Sequence, residues 1–282
     1  MNIPQITIHE TLSLPKLGIG TWEMGGRQTP DKSEDNKFIR AIQFALENGI
    51  RFIDTAEMYG NGHTEELVAK AIKTHEREQL LITSKVSGDH LAYQDLIKAA
   101  HNSLKRLETA YLDLYLLHWP NPDVPIEETM KAINELLERG LIKHFGLSNF
   151  SAAQTAEVLK WTDAPIITNQ LEYNLFTRNN GRITEDVEAS IIPFCHSKDI
   201  SITAWRPVLK GATNPLQQPL INEIAAKHEA TSMQIALAWL LNKPLTLAIP
   251  KMTSEKHILE NIKATGIELD EQEMKLLDEI AD

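Results

Sequence analysis

The chain is predicted to fold as a (β/α)8 barrel, a TIM barrel, on three observations. Short apolar, β-rich runs alternate with longer stretches of helical period along the whole sequence. Eight such strand–helix units follow one another with no Pro/Gly/Ser-rich linker between them. The length, 282 residues, suits a fold that typically takes about 250. The expectation is one domain over residues 1–282, with an N-terminal β-hairpin and extra C-terminal helices.

Taken in order, Ile6–Leu14 alternates with a period near two and predicts a hairpin closing the barrel's lower end. The first barrel strand is Leu17–Trp22. In the helix at Asp35–Asn48, Phe38, Ala41, Ile42, Ala45 and Leu46 form one apolar face, and Gly49 stands at the C-cap. Arg51–Asp54 is the second strand, and the helix at Thr64–Lys73 carries Glu65 and Glu66 in its first turn. Leu80–Ser84 leads to a helix at Tyr93–Leu107, and Tyr111–Leu117 to one at Pro125–Arg139 that Gly140 stops. Lys143–Leu147, a helix at Ala152–Lys160, Pro165–Gln170 and a helix at Glu185–Lys198 continue the series. Ser201–Trp205 is the seventh strand, with two helical patches across Ile221–Leu241. Leu245–Ile249 is the eighth, followed by helices at Ser254–Ala264 and Glu271–Ile280. An open doubly wound sheet of this length would show fewer strands and a GxGxxG turn after the first; Gly18-Ile19-Gly20 does not complete that fingerprint.

Composition narrows the function classes. The net charge is −11 and Lys and Arg form no block, which argues against nucleic acid and anionic membranes as partners. Cys195 is the only cysteine, so no internal disulfide is possible. The opening MNIPQITIHE lacks a basic segment followed by an apolar one, and no window approaches the roughly 18 apolar residues of a spanning helix. A reducing cytoplasm is the expected compartment. The ten histidines show no metal spacing such as HExxH, so no metal is expected.

Barrel enzymes build their sites at the C-terminal ends of the strands. Asp54 and, a few residues on, Tyr59 follow the second strand; Lys85 follows the third, His118-Trp119-Pro120 the fourth and Ser148-Asn149 the fifth. Asn169-Gln170 and Trp205-Arg206 follow the sixth and seventh. Singly, each reads as a cap, a solvated charge or a core residue. Together they suit carbonyl reduction, in which an arriving hydride leaves an alkoxide that needs a proton. Tyr59 is a donor; a free phenol titrates near 10, and a nearby ammonium such as Lys85 lowers that value. Asp54 is the counter-ion for Lys85, and a neutral His118 orients the carbonyl oxygen.

The segment Gly49-Ile-Arg-Phe-Ile-Asp54-Thr-Ala-Glu-Met-Tyr59-Gly60 resembles the signature of the aldo-keto reductases. So do Leu117-His118-Trp119-Pro120, Lys143-His-Phe-Gly-Leu-Ser148-Asn149-Phe150, Asn169-Gln170-Leu-Glu172-Tyr173, Leu17-Gly-Ile-Gly20-Thr21-Trp22 and Ile249-Pro250-Lys251. The resemblance implies a catalytic tetrad of Asp54, Tyr59, Lys85 and His118 and a nicotinamide cofactor held without a Rossmann domain. It implies that Ser148, Asn149 and Gln170 hold the carboxamide, Trp205 stacks on the nicotinamide, Lys251 pairs with the 2′-phosphate of NADP and Asn261 reads the adenine. Gly20, Thr21, Trp22, Arg206, Pro207, Val208 and His257 complete the expected cofactor contacts.

Three positions depart from the family pattern. Met252 stands where a small hydroxyl residue is usual, and His257 where an arginine is; a mostly neutral imidazole cannot reproduce a bidentate guanidinium contact. Thr253, Ser254 and the helix start nearby offer replacement donors. Arg206, where serine is common, brings charge toward the pyrophosphate. NADPH is the expected cofactor, with NADH as a second possibility. The substrate-shaping loops are short, which predicts an open pocket walled by Trp22, Met58, His118, Trp119 and Val208 and suited to small aldehydes, α-dicarbonyls or sugar-derived carbonyls. The alternatives are a non-enzymatic NADPH-binding sensor or regulatory subunit on the same fold, and a barrel hydrolase or isomerase using Asp54 and His118. The second leaves Tyr59 and Lys85 without a task. No long apolar surface helix demands a partner, so the expected state is a monomer.

Overall fold

The computed structural model describes residues 3–9, 12–178, 185–209 and 218–281. A hairpin of β1 (Gln5–Ile8) and β2 (Leu12–Pro15) comes first, antiparallel, with Ile8 opposite Leu12. The barrel begins with β3 (Gly18–Gly20), α1 (Asp35–Glu47), β4 (Phe52–Asp54), α2 (His63–Ile72) and β5 (Leu81–Val86). It continues through α3 (Tyr93–Arg106), β6 (Leu112–Leu117), α4 (Ile126–Glu138), β7 (Ile142–Ser148), α5 (Ala152–Val158) and β8 (Ile166–Glu172). Then come α6 (Ile192–Ser197), β9 (Ser201–Trp205), α7 (Pro219–Lys227), α8 (Ser232–Asn242), β10 (Thr246–Ala248), α9 (Glu255–Ala264) and α10 (Glu271–Asp278). Strands β3 to β10 pair in sequence order, all parallel, as a (β/α)8 barrel requires.

The ring closes between β3 and β10 by parallel bridges, Leu17 to Ala248 and Gly20 to Lys251. The Gly20 N–H donates to the Pro250 carbonyl at 3.0 Å, and the Ala248 N–H to that of Lys16 at 2.9 Å. A Cβ at Gly20 would lie 2.5 Å from the Ile249 carbonyl oxygen, so only glycine permits this approach. The loops after the first and last barrel strands therefore run side by side.

Two apolar clusters divide the interior. The larger fills the layer between strands and helices. The smaller lies inside the barrel, where Ile6, Ile8 and Leu14 of the hairpin pack with Phe52, Leu114, Leu116, Ile167 and Leu247. The hairpin plugs the end where the strands start and leaves the polar groups to the other, as its alternation predicted.

The helix expected over Glu185–Lys198 is instead a π-helical turn at Val187–Ile191 followed by the short α6. Pro193 has no N–H to donate back into an α-type ladder, and the turn ahead of it widens. Lys85, expected just past its strand, lies within β5, and Asn169 and Gln170, at the expected end of theirs, lie within β8, which runs on to Glu172. Lys85 pairs with Leu116, and Gln170 with Ser148 and Thr203, so the ladder runs on through these polar positions. Among the described residues no helix is long and apolar enough to cross a membrane.

Candidate active site

Asp54 ends β4, Lys85 lies near the end of β5, and His118 follows β6, so three neighbouring strands aim these side chains at one mouth. Tyr59 reaches the same point from the turn between β4 and α2. That turn takes left-handed backbone at Gly60 (φ +56°), Asn61 (φ +53°) and Gly62 (φ +91°). A Cβ on Gly60 would lie 2.6 Å from the Gly25 carbonyl oxygen, and the Gly60 N–H donates to the Arg27 carbonyl at 2.8 Å.

The Lys85 ammonium uses its three donors on Asp54 Oδ2 (2.7 Å), the Thr55 carbonyl (2.8 Å) and Tyr59 Oη (3.1 Å). Asp54 Oδ1 accepts from Gln170 Nε2 at 2.8 Å. The Tyr59 ring meets Trp22 and His118 edge-on, at centroid distances of 4.7 and 5.8 Å. All four members of the predicted tetrad are buried.

Burial governs their titration. It pulls the Lys85 ammonium down, but the charge of Asp54 and the hydrogen bonds to Asp54 and Tyr59 outweigh it and hold the group above the ordinary lysine value. Burial raises Asp54, against Lys85 and Gln170. For Tyr59 the sequence-based expectation was a lowered value. The structure corrects this: burial raises the phenol, Lys85 opposes it and Asp54 adds to it, so the net shift is upward. Tyr59 thus keeps its proton at neutral pH. Burial, and secondarily Lys85, hold His118 well below its ordinary value. His118 Nδ1 is buried with no hydrogen-bond partner. A buried N–H there would be costly, so the neutral ring carries its proton on Nε2.

Asn149, at φ +64°, ties three loops together. Its amide donates to the His118 carbonyl (3.1 Å) and Ser148 Oγ (2.9 Å), and its oxygen accepts from Trp205 Nε1 (3.2 Å). The Trp205 indole is thereby oriented at the end of β9. The Arg206 guanidinium lies 4.9 Å from the Trp205 ring and pairs with Glu172 at 3.0 Å. Thr21 Oγ1 donates to the Asp54 carbonyl at 2.8 Å, beneath the site.

A cleft of about 670 Å³ runs from Asp54 and Tyr59 to the start of α9. Twelve expected residues line it: Gly20, Trp22, Asp54, Tyr59, Gln170, Trp205, Arg206, Pro207, Val208, Lys251, His257 and Asn261. Thr21, Met58, Lys85, His118, Trp119, Ser148 and Asn149 are not in the lining; Lys85 and His118 stand beside Tyr59 at its reacting end, and Asn149 orients Trp205. Met252 is fully buried in the core, and Thr253 lines the cleft beside it. Ser254 caps α9, its Oγ accepting from the His257 N–H at 3.3 Å.

Sequence reasoning missed Glu23, Thr231–Gln234, Lys256 and Glu260, which also line the cleft. A charged loop residue and a helix start carry no signal of their own; the Gly20–Lys251 closure is what brings Glu23 in. Cys195 is a core residue, its thiol pushed up to about 12 by burial.

The arrangement offers a proton donor, a charged relay behind it and a neutral imidazole at one end. At the other it offers cations beside a helix N-terminus, a surface suited to phosphate groups. The sequence pattern of the Aldo/keto reductase family matches residues 16–282. Among characterised proteins, the chain is 34% identical to methylglyoxal reductase YeaE of Escherichia coli K12, over 95% of this chain and 91% of that protein. It is 32% identical to glyoxal reductase of Bacillus subtilis 168, over 97% and 91%. Among solved structures, the thermostable aldo-keto reductase Tm1743 with the inhibitor epalrestat superposes with a TM-score of 0.91 at 42% identity, covering 99% of this chain and 100% of that one. A Klebsiella pneumoniae aldo-keto reductase in complex with NADPH gives 0.89 at 32%, covering 100% and 96%. The chain belongs to the aldo/keto reductase family.

Proposed function

We propose that this protein reduces small aldehydes and α-dicarbonyls to alcohols with NADPH, using Tyr59 as the general acid. The observation that carries the reading is the bridge made by Lys85, which touches both Asp54 and Tyr59 on the floor of the cleft. The cleft fits the cofactor in its donor set: an oriented indole at one end, Arg206 along the wall, and Lys251, His257 and the α9 N-terminus at the other. Gln170 gives its N–H to Asp54, leaving its carbonyl oxygen for the carboxamide of the nicotinamide. Bound there, NADPH supplies the hydride.

The remaining steps belong to the protein. His118 Nε2–H donates to the carbonyl oxygen and fixes its direction. Tyr59 gives its phenolic proton to that oxygen as negative charge develops on it. Lys85 stabilises the phenolate left behind, and Asp54 keeps Lys85 charged within the protein interior. The choice of α-dicarbonyls follows the two relatives named for methylglyoxal and glyoxal, together with the short loops around the mouth.

The test is a titration of intrinsic Trp fluorescence with NADPH and NADH, followed by NADPH consumption with methylglyoxal. Saturable quenching and turnover are expected, since Trp22 and Trp205 line the cleft. Binding without turnover on any small aldehyde would leave a sensor; absence of binding would remove the reading.

A further inference from the structure

We propose that Glu23 sets how strongly the cleft prefers a cofactor bearing a 2′-phosphate, by occupying Lys251 until the phosphate displaces it. The inference rests on the reading that NADPH fills the cleft.

Glu23 and Lys251 both line the cleft, on the loops that the β3–β10 closure sets side by side. Glu23 Oε2 lies 3.5 Å from Lys251 Nζ, and its Oε1 lies 3.3 Å from Arg27 Nε. One carboxylate thus serves two cations, and Lys251 is the one of them that faces the main cleft. The backbone that carries the carboxylate has little freedom to withdraw. Glu23 sits at φ +66° and is bridged to Gly26 in a tight turn. The Met24 side chain is buried, and its carbonyl accepts from Thr64 Oγ1 at 2.5 Å. The Gly25 and Arg27 carbonyls accept from Asp31 and Gly60, each at 2.8 Å. A phosphate that approaches Lys251 therefore meets a negative charge whose backbone cannot move away.

The exchange is feasible because the pair is only part-buried, with the side chains 27% and 36% exposed. Ion pairs of that kind are worth little, and a phosphate monoester carries roughly −1.5 to −2 charges near neutral pH against the single charge of a carboxylate. When Lys251 turns to the phosphate, Arg27 keeps Glu23 paired and shields it. Glu23 then opposes 2′-phosphate recognition and Arg27 favours it, two effects of opposite sign at adjacent residues.

The experiment measures Kd for NADPH and NADH by Trp quenching in the wild type, Glu23→Gln and Arg27→Ala. Glutamine keeps the size of the side chain in the strained turn, and Arg27 is well exposed, so neither change attacks the core. Glu23→Gln should tighten NADPH by about three- to tenfold and move NADH by less than about twofold. Arg27→Ala should weaken NADPH by a comparable factor with NADH again little changed. Both shifts should shrink in 1 M salt, where the screening length falls to about 3 Å. Equal shifts for the two cofactors, no shift, or weaker NADPH binding in Glu23→Gln would overturn the role of Glu23 while leaving the proposed function intact. Failure of the wild type to bind either cofactor would overturn both.

Discussion

At one end of the cleft Lys85, Asp54 and Gln170 are buried, and the Lys85 ammonium and both Asp54 oxygens have partners within 3.1 Å. At the other, Lys251 and Glu23 are part-exposed and meet at 3.5 Å. A buried ion pair that loses one member leaves an uncompensated charge, so the first arrangement cannot rearrange cheaply. A part-exposed pair is nearly neutral in free energy and exchanges partners readily. The end assigned to chemistry is fixed before any ligand arrives; the end assigned to recognition is built to trade one anion for another.

The largest expected effect separates the proposed acid from everything that binds. Tyr59→Phe removes one oxygen and should lower kcat for reduction by about 10²–10⁴, the range for a general acid. Cofactor Kd should stay within about twofold, because Tyr59 meets the cleft only at the reacting end. A near-normal kcat in this variant would take the acid role away from Tyr59.

The fixed end is broken next by Lys85→Ala, which strands Asp54 in the interior. Urea unfolding should show a loss of about 3–5 kcal/mol. Replacing both partners, Lys85→Met with Asp54→Leu, should return much of that stability and none of the activity. If the double variant were no more stable than Lys85→Ala, packing rather than the stranded charge would be the cause.

His118 gives the fixed end a pH signature. Its folded-state value lies well below the ordinary one, so near pH 6.5 the unfolded chain takes up a proton that the native protein refuses. Stability on this account is full above that pH and falls as pH drops below it, by about 1.4 kcal/mol per pH unit until His118 titrates in the native state. His118→Gln should remove that slope. An unchanged slope would mean that other histidines produce it.

Much of this was legible in the sequence. The alternation of strands and helices and the hairpin's period of two follow from which side chains must be buried, and the chain writes that directly. Asp54, Tyr59, Lys85 and His118 were legible because they end or follow successive strands, and barrel topology brings strand ends together. The sign of the Tyr59 shift was not, since a sequence shows the nearby charge of Lys85 but not the depth of burial that outweighs it. Met252 reads in the sequence only as a missing hydroxyl; that its side chain is buried in the core depends on packing the sequence does not show. Glu23 carries no signal in the sequence, because its meeting with Lys251 depends on ring closure between the first and last strands.

The smallest effect tests the exchangeable end. Lys251→Ala should weaken NADPH by about five- to tenfold, a charge-assisted contact discounted for exposure, and leave NADH almost unchanged. Combining it with Glu23→Gln closes a double-mutant cycle. If Glu23 acts by occupying Lys251, its removal should tighten NADPH less in the Lys251→Ala background than in the wild type. If Glu23 instead repels the phosphate directly, the gain should be the same in both backgrounds. Lys251 would then be an ordinary cation at the mouth of the cleft, and the contrast between a fixed end and an exchangeable one would lose its second member.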